Sequence, residues 1–171
     1  MNKRPAPKYL WQEHERVEAV FDPTKTYRYL LSCMWEKEAD PVTFVMLNPS
    51  VADENYCDPT LKRCLNFAKS WGYGSMKIVN LFALVSTEPE ALSSHQDPTG
   101  PENDAYIIEA SRKSPLIIYA WGTKYGSLNG RSDRVQHLLS SYPHYCIKKS
   151  SNGRHPCHPL FLPKKLRPVP F

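Results

Sequence analysis

Residues 42–50 read V-T-F-V-M-L-N-P-S, six apolar or β-branched residues halted at Asn48-Pro49-Ser50. A run with no polar face suits a strand covered on both sides, as in a parallel or mixed sheet. Two similar runs follow, M-K-I-V-N-L-F-A-L at 76–84 and P-L-I-I-Y-A-W-G at 115–122. Between the first two, P-T-L-K-R-C-L-N-F-A-K-S (59–70) opens on a proline suited to a first helical turn. It then places Leu61, Cys64, Leu65 and Ala68 at i, i+3, i+4 and i+7, an amphipathic helix stopped by Gly72.

Working outward, Y-R-Y-L-L-S-C-M-W (27–35) alternates and then merges into an apolar run, so it reads as a strand. The acidic turn E-K-E-A-D-P that follows predicts a hairpin with 42–47. After a polar stretch from Ser86 to Asn103, helices are expected over 103–112 and 131–141, and Y-C-I (145–147) as a short strand. Strands alternating with helices predict one α/β domain, a three-layer α/β/α arrangement around a mostly parallel sheet. The expected division is an N-terminal arm over 1–26 with Tyr9, Leu10 and Trp11 as its docking point, a domain over 27–163 and a basic tail over 164–171.

The 171 residues suffice for one core of ordinary size. Sixteen prolines against seven glycines disfavour a bundle of long helices. No stretch has the roughly 18 apolar residues of a membrane span and the start lacks a secretory h-region, so a cytoplasmic monomer without membrane attachment is expected. The five cysteines, at 33, 57, 64, 146 and 157, are odd in number and contain no C-x-x-C, which predicts reduced structural thiols. Residues 1–30, 31–111 and 112–171 carry +2, −7 and +10, so the last third is where a polyanion would be held.

Ligands of open α/β sheets bind beyond the carboxyl ends of the strands. The residues there are Asn48, Pro49, Ser50, Asp53, Glu54 and Asp58, then Asn80, Ser86 and Thr87, then Trp121 and Gly122, with His155 and His158 in the closing segment. Asn80 interrupts an apolar strand. Its amide either bonds neighbouring backbone or reads the edge of a base, because it offers a donor and an acceptor side by side. Asn48 has the same two readings. His155, Cys157 and His158 lie in a proline-stiffened loop with no second cluster at ligand spacing, so no metal is expected, and a histidine there serves as electrophile, anion stabiliser or structural group.

Four segments, in order, resemble the uracil-DNA glycosylase superfamily, closest in style to its mismatch-specific uracil/thymine glycosylases. V-M-L-N-P-S (45–50) is similar to G-I-N-P-G, I-V-N-L-F-A-L (78–84) to the strand with the base-reading asparagine, I-I-Y-A-W-G (117–122) to L-L-W-G, and H-P-C-H-P-L (155–160) to H-P-S-P-L. The pattern Y-R-Y-L-L-S-x-x-W, M-L-N-P-S-x-A-D-E, D-P-T-x-x-R-C, N-L-F-A-L and H-P-L-F-L also resembles a bacterial domain of unknown function, number 1643.

The superfamily resemblance implies a uracil-DNA glycosylase-like fold and a monofunctional DNA glycosylase. Such an enzyme hydrolyses the N-glycosidic bond of a modified or damaged base, expected to be a pyrimidine, without any cofactor, and leaves an abasic site. Hypermodified phage DNA is one implied substrate, which would make the protein a defence enzyme. Catalytic roles fall on Asn48, His158, Asp53 and His155, and base contacts on Asn80, Pro49, Tyr56 and Trp121. DNA contacts fall on Ser50, Leu160, Phe161, Lys164, Lys165 and Arg167, with Leu160, Phe161 and Leu162 as a wedge filling the vacated stack of flipped-base duplex or single-stranded DNA.

Two features depart from the superfamily. Asn48 stands where the most active uracil enzymes carry aspartate, which leaves Asp53, Glu54 or Asp58 to supply a carboxylate. One residue is also inserted in H-P-C-H-P-L, which leaves open whether His155 or His158 reaches the pocket. The four-cysteine cluster of the iron–sulfur branches is not expected. The competing readings are a non-catalytic nucleic-acid-binding module and a nucleotide or nucleoside hydrolase using the same crevice.

Overall fold

The computed structural model describes residues 8–171. The elements in chain order are β1 (Tyr9–Leu10), β2 (Arg16–Phe21), β3 (Arg28–Met34), β4 (Pro41–Met46), β5 (Tyr56–Cys57), α1 (Pro59–Ser70) and β6 (Ser75–Asn80), followed by α2 (Ala91–Ser94), α3 (Asn103–Arg112), β7 (Leu116–Tyr119), α4 (Arg131–Leu138), β8 (His144–Cys146) and β9 (Val169–Pro170). Seven strands form one sheet in the order β2-β3-β6-β4-β7-β8-β9, and β1 pairs separately with β5. Among the described residues no helix is long and apolar enough to cross a membrane.

The fold is α/β, but its sheet is mixed rather than mostly parallel. The inner strands β6, β4, β7 and β8 run parallel, while β2, β3 and β9 add antiparallel pairs at the two edges. The predicted hairpin between 27–35 and 42–47 does not form. β3 pairs instead with β2 and β6, and β6 stands between β3 and β4. The turn that does close a hairpin is Asp22–Thr26, where Asp22 Oδ1 accepts from Tyr27 N at 2.8 Å.

The expected boundaries also shift. β2 lies inside the stretch read as an arm, yet it is a full edge strand of the sheet; residues 1–7 of that arm lie outside the described residues. The docking point is real: β1 pairs with β5, and Trp11 packs on the core and donates from Nε1 to Asp53 O at 2.9 Å. The basic end is pinned rather than a free tail. Trp71 Nε1 donates to Leu166 O at 2.9 Å, and Val169–Pro170 pairs with β8.

Alternation divides the core into two apolar clusters, one on each face of the sheet. Val42, Phe44 and Met46 of β4, with Met76, Ile78, Leu116 and Ile118, meet Leu61, Cys64, Leu65 and Ala68 of α1. Val45, Val79, Ile117 and Tyr119 meet Ile107 and Ala110 of α3 and Val135 of α4. The four apolar positions expected from the helical spacing are therefore the buried face of α1. All five cysteines are free and four are buried, and burial pushes the Cys33 and Cys57 thiols up to about 12.

From β4 the chain crosses over through α1 to β6 on one side. From β6 it returns through α3 to β7 on the other side of β4. The strand order therefore reverses around β4, and its carboxyl end is a switch point of the kind where open α/β sheets bind ligands. Parallel register keeps the strand ends level: Met46 lies opposite Asn80, and Val45 opposite Tyr119. Asn48 and Asn80 are thus delivered to the same end of the sheet.

Candidate functional site

A cleft of about 400 Å³ opens at that switch point. Its floor is set by parity. Asn80 follows Ile78 on the α1 face, and only 1% of the residue is exposed. Among the described residues neither Nδ2 nor Oδ1 of this amide has a hydrogen-bond partner. The next strand-end asparagine behaves differently: Asn48 Nδ2 donates to Pro49 O and Ser86 O, both at 3.0 Å, and to Leu84 O at 3.4 Å. Three backbone carbonyls hold its NH₂ group, which leaves Oδ1 as the atom for chemistry.

Asp58 caps α1. Its extended backbone precedes Pro59, and Oδ1 accepts from Leu61 N at 2.8 Å. The residue is 6% exposed and lines the cleft. This selects among the three carboxylates left open by the sequence. Asp53 and Glu54 do not line the cleft; Asp53 Oδ1 is spent on Asn55 N and Tyr56 N in a tight turn, and Glu54 is exposed.

His158 reaches the cleft and His155 does not. The turn at 150–155 ties His155 down, its N–H to Ser150 Oγ at 3.1 Å and its carbonyl to Ser150 N at 2.8 Å. The segment then crosses the end of β7, where Gly122, at φ +87, turns its N–H to Pro156 O. His158 Nδ1 accepts from Leu160 N at 3.2 Å, which places the ring proton on Nε2. Burial lowers its pKa below the usual imidazole value, opposed by the Asp58 carboxylate, so the ring is a neutral donor near pH 7.

Arg28 was not anticipated. Only 2% exposed, it lines the cleft beside Asn80, and burial lowers its pKa to about 10 against the raising influence of Asp58 and Asp53. A slip in strand pairing puts it there. Val20 faces Leu30 but Phe21 faces Arg28, so Tyr29 is an extra residue. Leu31 lies on the α1 face, whereas Tyr29 stacks on Tyr106 of α3 at 5.1 Å and Leu30 packs on the same side. The slip turns Arg28 back to the α1 face. Bulges re-aim side chains in this way.

Of the remaining predicted residues, Pro49, Ser50 and Leu160 line the cleft. Trp121 does not. It shares the parity of Ile117 and Tyr119, so it is buried on the α3 face against Tyr119 and Phe171. Tyr56 also misses the cleft: it is the outward residue of the two-residue β5, 40% exposed, with Lys8 Nζ 5.3 Å from its ring centroid. The expected wedge reduces to Phe161, 92% exposed and held at φ +68, while Leu162 packs on the core. A left-handed phenylalanine costs on the order of 1–3 kcal/mol. Lys164, Lys165 and Arg167 are exposed and border shallow grooves with Ser70. Among the described residues no group of three His, Cys, Asp or Glu side chains is placed to hold a metal.

A family model described as "Protein of unknown function (DUF1643)" matches residues 28–160. The chain belongs to this family. The matched span runs from Arg28 to Leu160 and so contains every described residue lining the cleft; β2, Phe161 and the basic run lie outside it. No curated protein and no solved structure matches the chain. The likeness to uracil-DNA glycosylases therefore rests on the motifs alone.

Two outcomes follow from the hydrogen bonding. Asn80→Ala should leave the unfolding free energy within about 0.5 kcal/mol of wild type or raise it, because the amide has no protein bond to lose. Asn103→Ala removes donors to Asn80 O (2.9 Å) and Leu81 O (3.1 Å) and should cost about 1–3 kcal/mol. Urea unfolding measures both, and equal losses would make Asn80 a structural residue.

A further outcome concerns His158. In the folded chain burial holds its ring below the usual imidazole value. The unfolded chain takes up the proton first as pH falls, so stability from this group is full above about 6.5 and declines as pH drops through the folded value. An NMR titration of the ring should give a midpoint under 6.5; one at or above that value would contradict the buried, neutral assignment.

Proposed function

We propose that the family member described here is a monofunctional DNA glycosylase that hydrolyses the N-glycosidic bond of a modified or damaged pyrimidine. The observation that carries this reading is Asn80, a buried amide whose donor and acceptor both lack protein partners, on a cleft shared with Asn48, Asp58 and His158. An amide in that condition suits a planar heterocycle edge with complementary groups. The motif resemblance and the reversal of strand order around β4 support the same reading, and helices on both faces of the sheet are in keeping with a three-layer glycosylase-like fold.

In this mechanism the target base is extruded into the cleft and Phe161 occupies its place in the stack. Asn80 reads the base edge. The C1′–N bond breaks with its electron pair moving to the base, and His158 Nε2–H donates to the base oxygen that gains charge. A water adds to C1′, oriented by Asn48 Oδ1, and passes its proton to the free oxygen of Asp58. The departing ring nitrogen takes a proton from solvent. Lys164, Lys165 and Arg167 contact flanking phosphates. Excision of hypermodified bases from phage DNA, as a defence, is the biological setting we propose.

Incubation with genomic DNAs carrying different pyrimidine modifications should produce alkali-labile abasic sites and free base. Asp58→Asn and His158→Ala should each slow release about 10²–10⁴-fold. Absence of abasic sites from every DNA, or full activity in Asn48→Ala and Asn80→Ala, would refute the assignment. Release from free nucleosides alone would make the protein a nucleoside hydrolase.

The basic run has a separate test. With Lys164, Lys165 and Arg167 all changed to alanine, the slope of log affinity for DNA against log salt should flatten by about 2–3. An unchanged slope would remove these residues from the interface.

A further inference from the structure

Among the described residues two arginines are buried, and they differ in how their charge is met. Arg131 donates from Nε to Leu81 O at 2.5 Å, and its Nη2 lies 2.6 Å from Asp104 Oδ1. Its charge is neutralised within the fold. Arg28 has a single side-chain hydrogen bond, Nη1 to Ala52 O at 2.7 Å, while its Nε is buried without a partner. Among the described residues no carboxylate lies within ion-pair distance of it. Asp58, whose charge acts most on it, is committed through Oδ1 to the cap of α1.

A buried cation without a counter-ion is costly to hold, and the usual remedies are an internal carboxylate or access to bulk water. Arg28 has neither. Among the described residues it is the only lysine or arginine lining the cleft, and the strand bulge at Tyr29 turns it inward. A guanidinium presents its donors in a planar fork, which matches oxygens that carry delocalised negative charge in a ring or carboxylate plane. Beside it, Asn80 offers an unpaired donor and acceptor.

We propose that Arg28 is the cation that makes this cleft select its base as an anion, whose negative charge lies either on the ring or on an acidic substituent. The proposal rests on the base-binding reading above. A ring that leaves as its anion is paired with Arg28 at the moment the glycosidic bond breaks, and a base with a carboxylate substituent is paired with it from the start. Both sources present the same chemistry, an oxygen-bearing planar anion, to the same side chain. Arg28 is then a specificity-determining residue, and the substrate class narrows to electron-poor or acidic pyrimidines.

Calorimetric titration of the full chain at neutral pH with three free bases tests this. Uracil is neutral, 5-nitrouracil is anionic in its ring, and 5-carboxyuracil is anionic in its substituent. On wild-type protein at least one anionic base should bind about tenfold or more tightly than uracil, the scale of one charge-assisted hydrogen bond. Preference for 5-nitrouracil places the selected charge on the ring; preference for 5-carboxyuracil places it on the substituent. The preference should survive in part in Arg28→Lys and vanish in Arg28→Gln, with thermal melting confirming that each variant is folded.

If all three bases bind wild type within twofold of one another, the anion proposal falls and the base-binding reading stands. If no base binds, both fall. A preference that persists in folded Arg28→Gln removes Arg28 from the role. Should Arg28→Gln not fold, the wild-type comparison and Arg28→Lys still decide.

Discussion

Strand β4 is hydrogen-bonded in parallel to a neighbour on each side, β6 and β7. Parallel neighbours cannot be joined by a tight turn, so each connection needs a crossover, and α1 and α3 fill that requirement on opposite faces. Everything at the cleft depends on this arrangement. It opens a gap between the diverging connections, keeps the ends of β4 and β6 level, and brings the cap of α1 with Asp58 to the same end as Asn48 and Asn80.

The cleft contrasts groups that are satisfied with groups that are not. Asn48 and Asp58 each spend part of their hydrogen-bonding capacity on backbone, which orients what is left over. His158 has one nitrogen fixed by Leu160 N and the other carrying the proton. Asn80 and Arg28 hold buried donors with no protein partner. Away from the cleft Thr43 Oγ1 donates to Ala110 O and Arg131 is paired with Asp104, while single atoms such as Asn103 Oδ1, Ser111 Oγ and Tyr119 OH are buried without a partner. What sets Asn80 apart is that both ends of one buried amide are unmet at a strand-end cleft, the pattern of a binding site, where stability is given up for recognition.

Burial on both faces wrote β4, β6, β7 and α1 plainly into the sequence, as apolar runs and a helical period, and strand ends then pointed to Asn48 and Asn80. Other features left weaker traces. R-V-E-A-V-F (16–21) alternates only as an edge strand does, and it was hidden in a polar segment. The inner partner of β3 is β6, more than forty residues away, so no local turn signal reveals it. Arg28 escaped notice because simple alternation from Leu31 and Cys33 assigns it to the other face, and only the bulge at Tyr29 reverses that. Trp121 was misassigned for the converse reason: it follows a strand end, but its parity with Ile117 and Tyr119 directs it away from the cleft. Asp58 was one of three adjacent carboxylates, and helix-cap geometry is what distinguishes it.

The central claim is that this cleft receives a nucleotide turned out of DNA. It is tested most directly by a crystal structure of the chain with a duplex containing a tetrahydrofuran abasic-site analogue, which requires no knowledge of the excised base. The account predicts the analogue sugar turned out of the helix at the mouth of the cleft, next to Asn48 and His158, with Phe161 in the vacated stack. A duplex left undistorted, or bound away from the end of the sheet that carries Asn80, would contradict it.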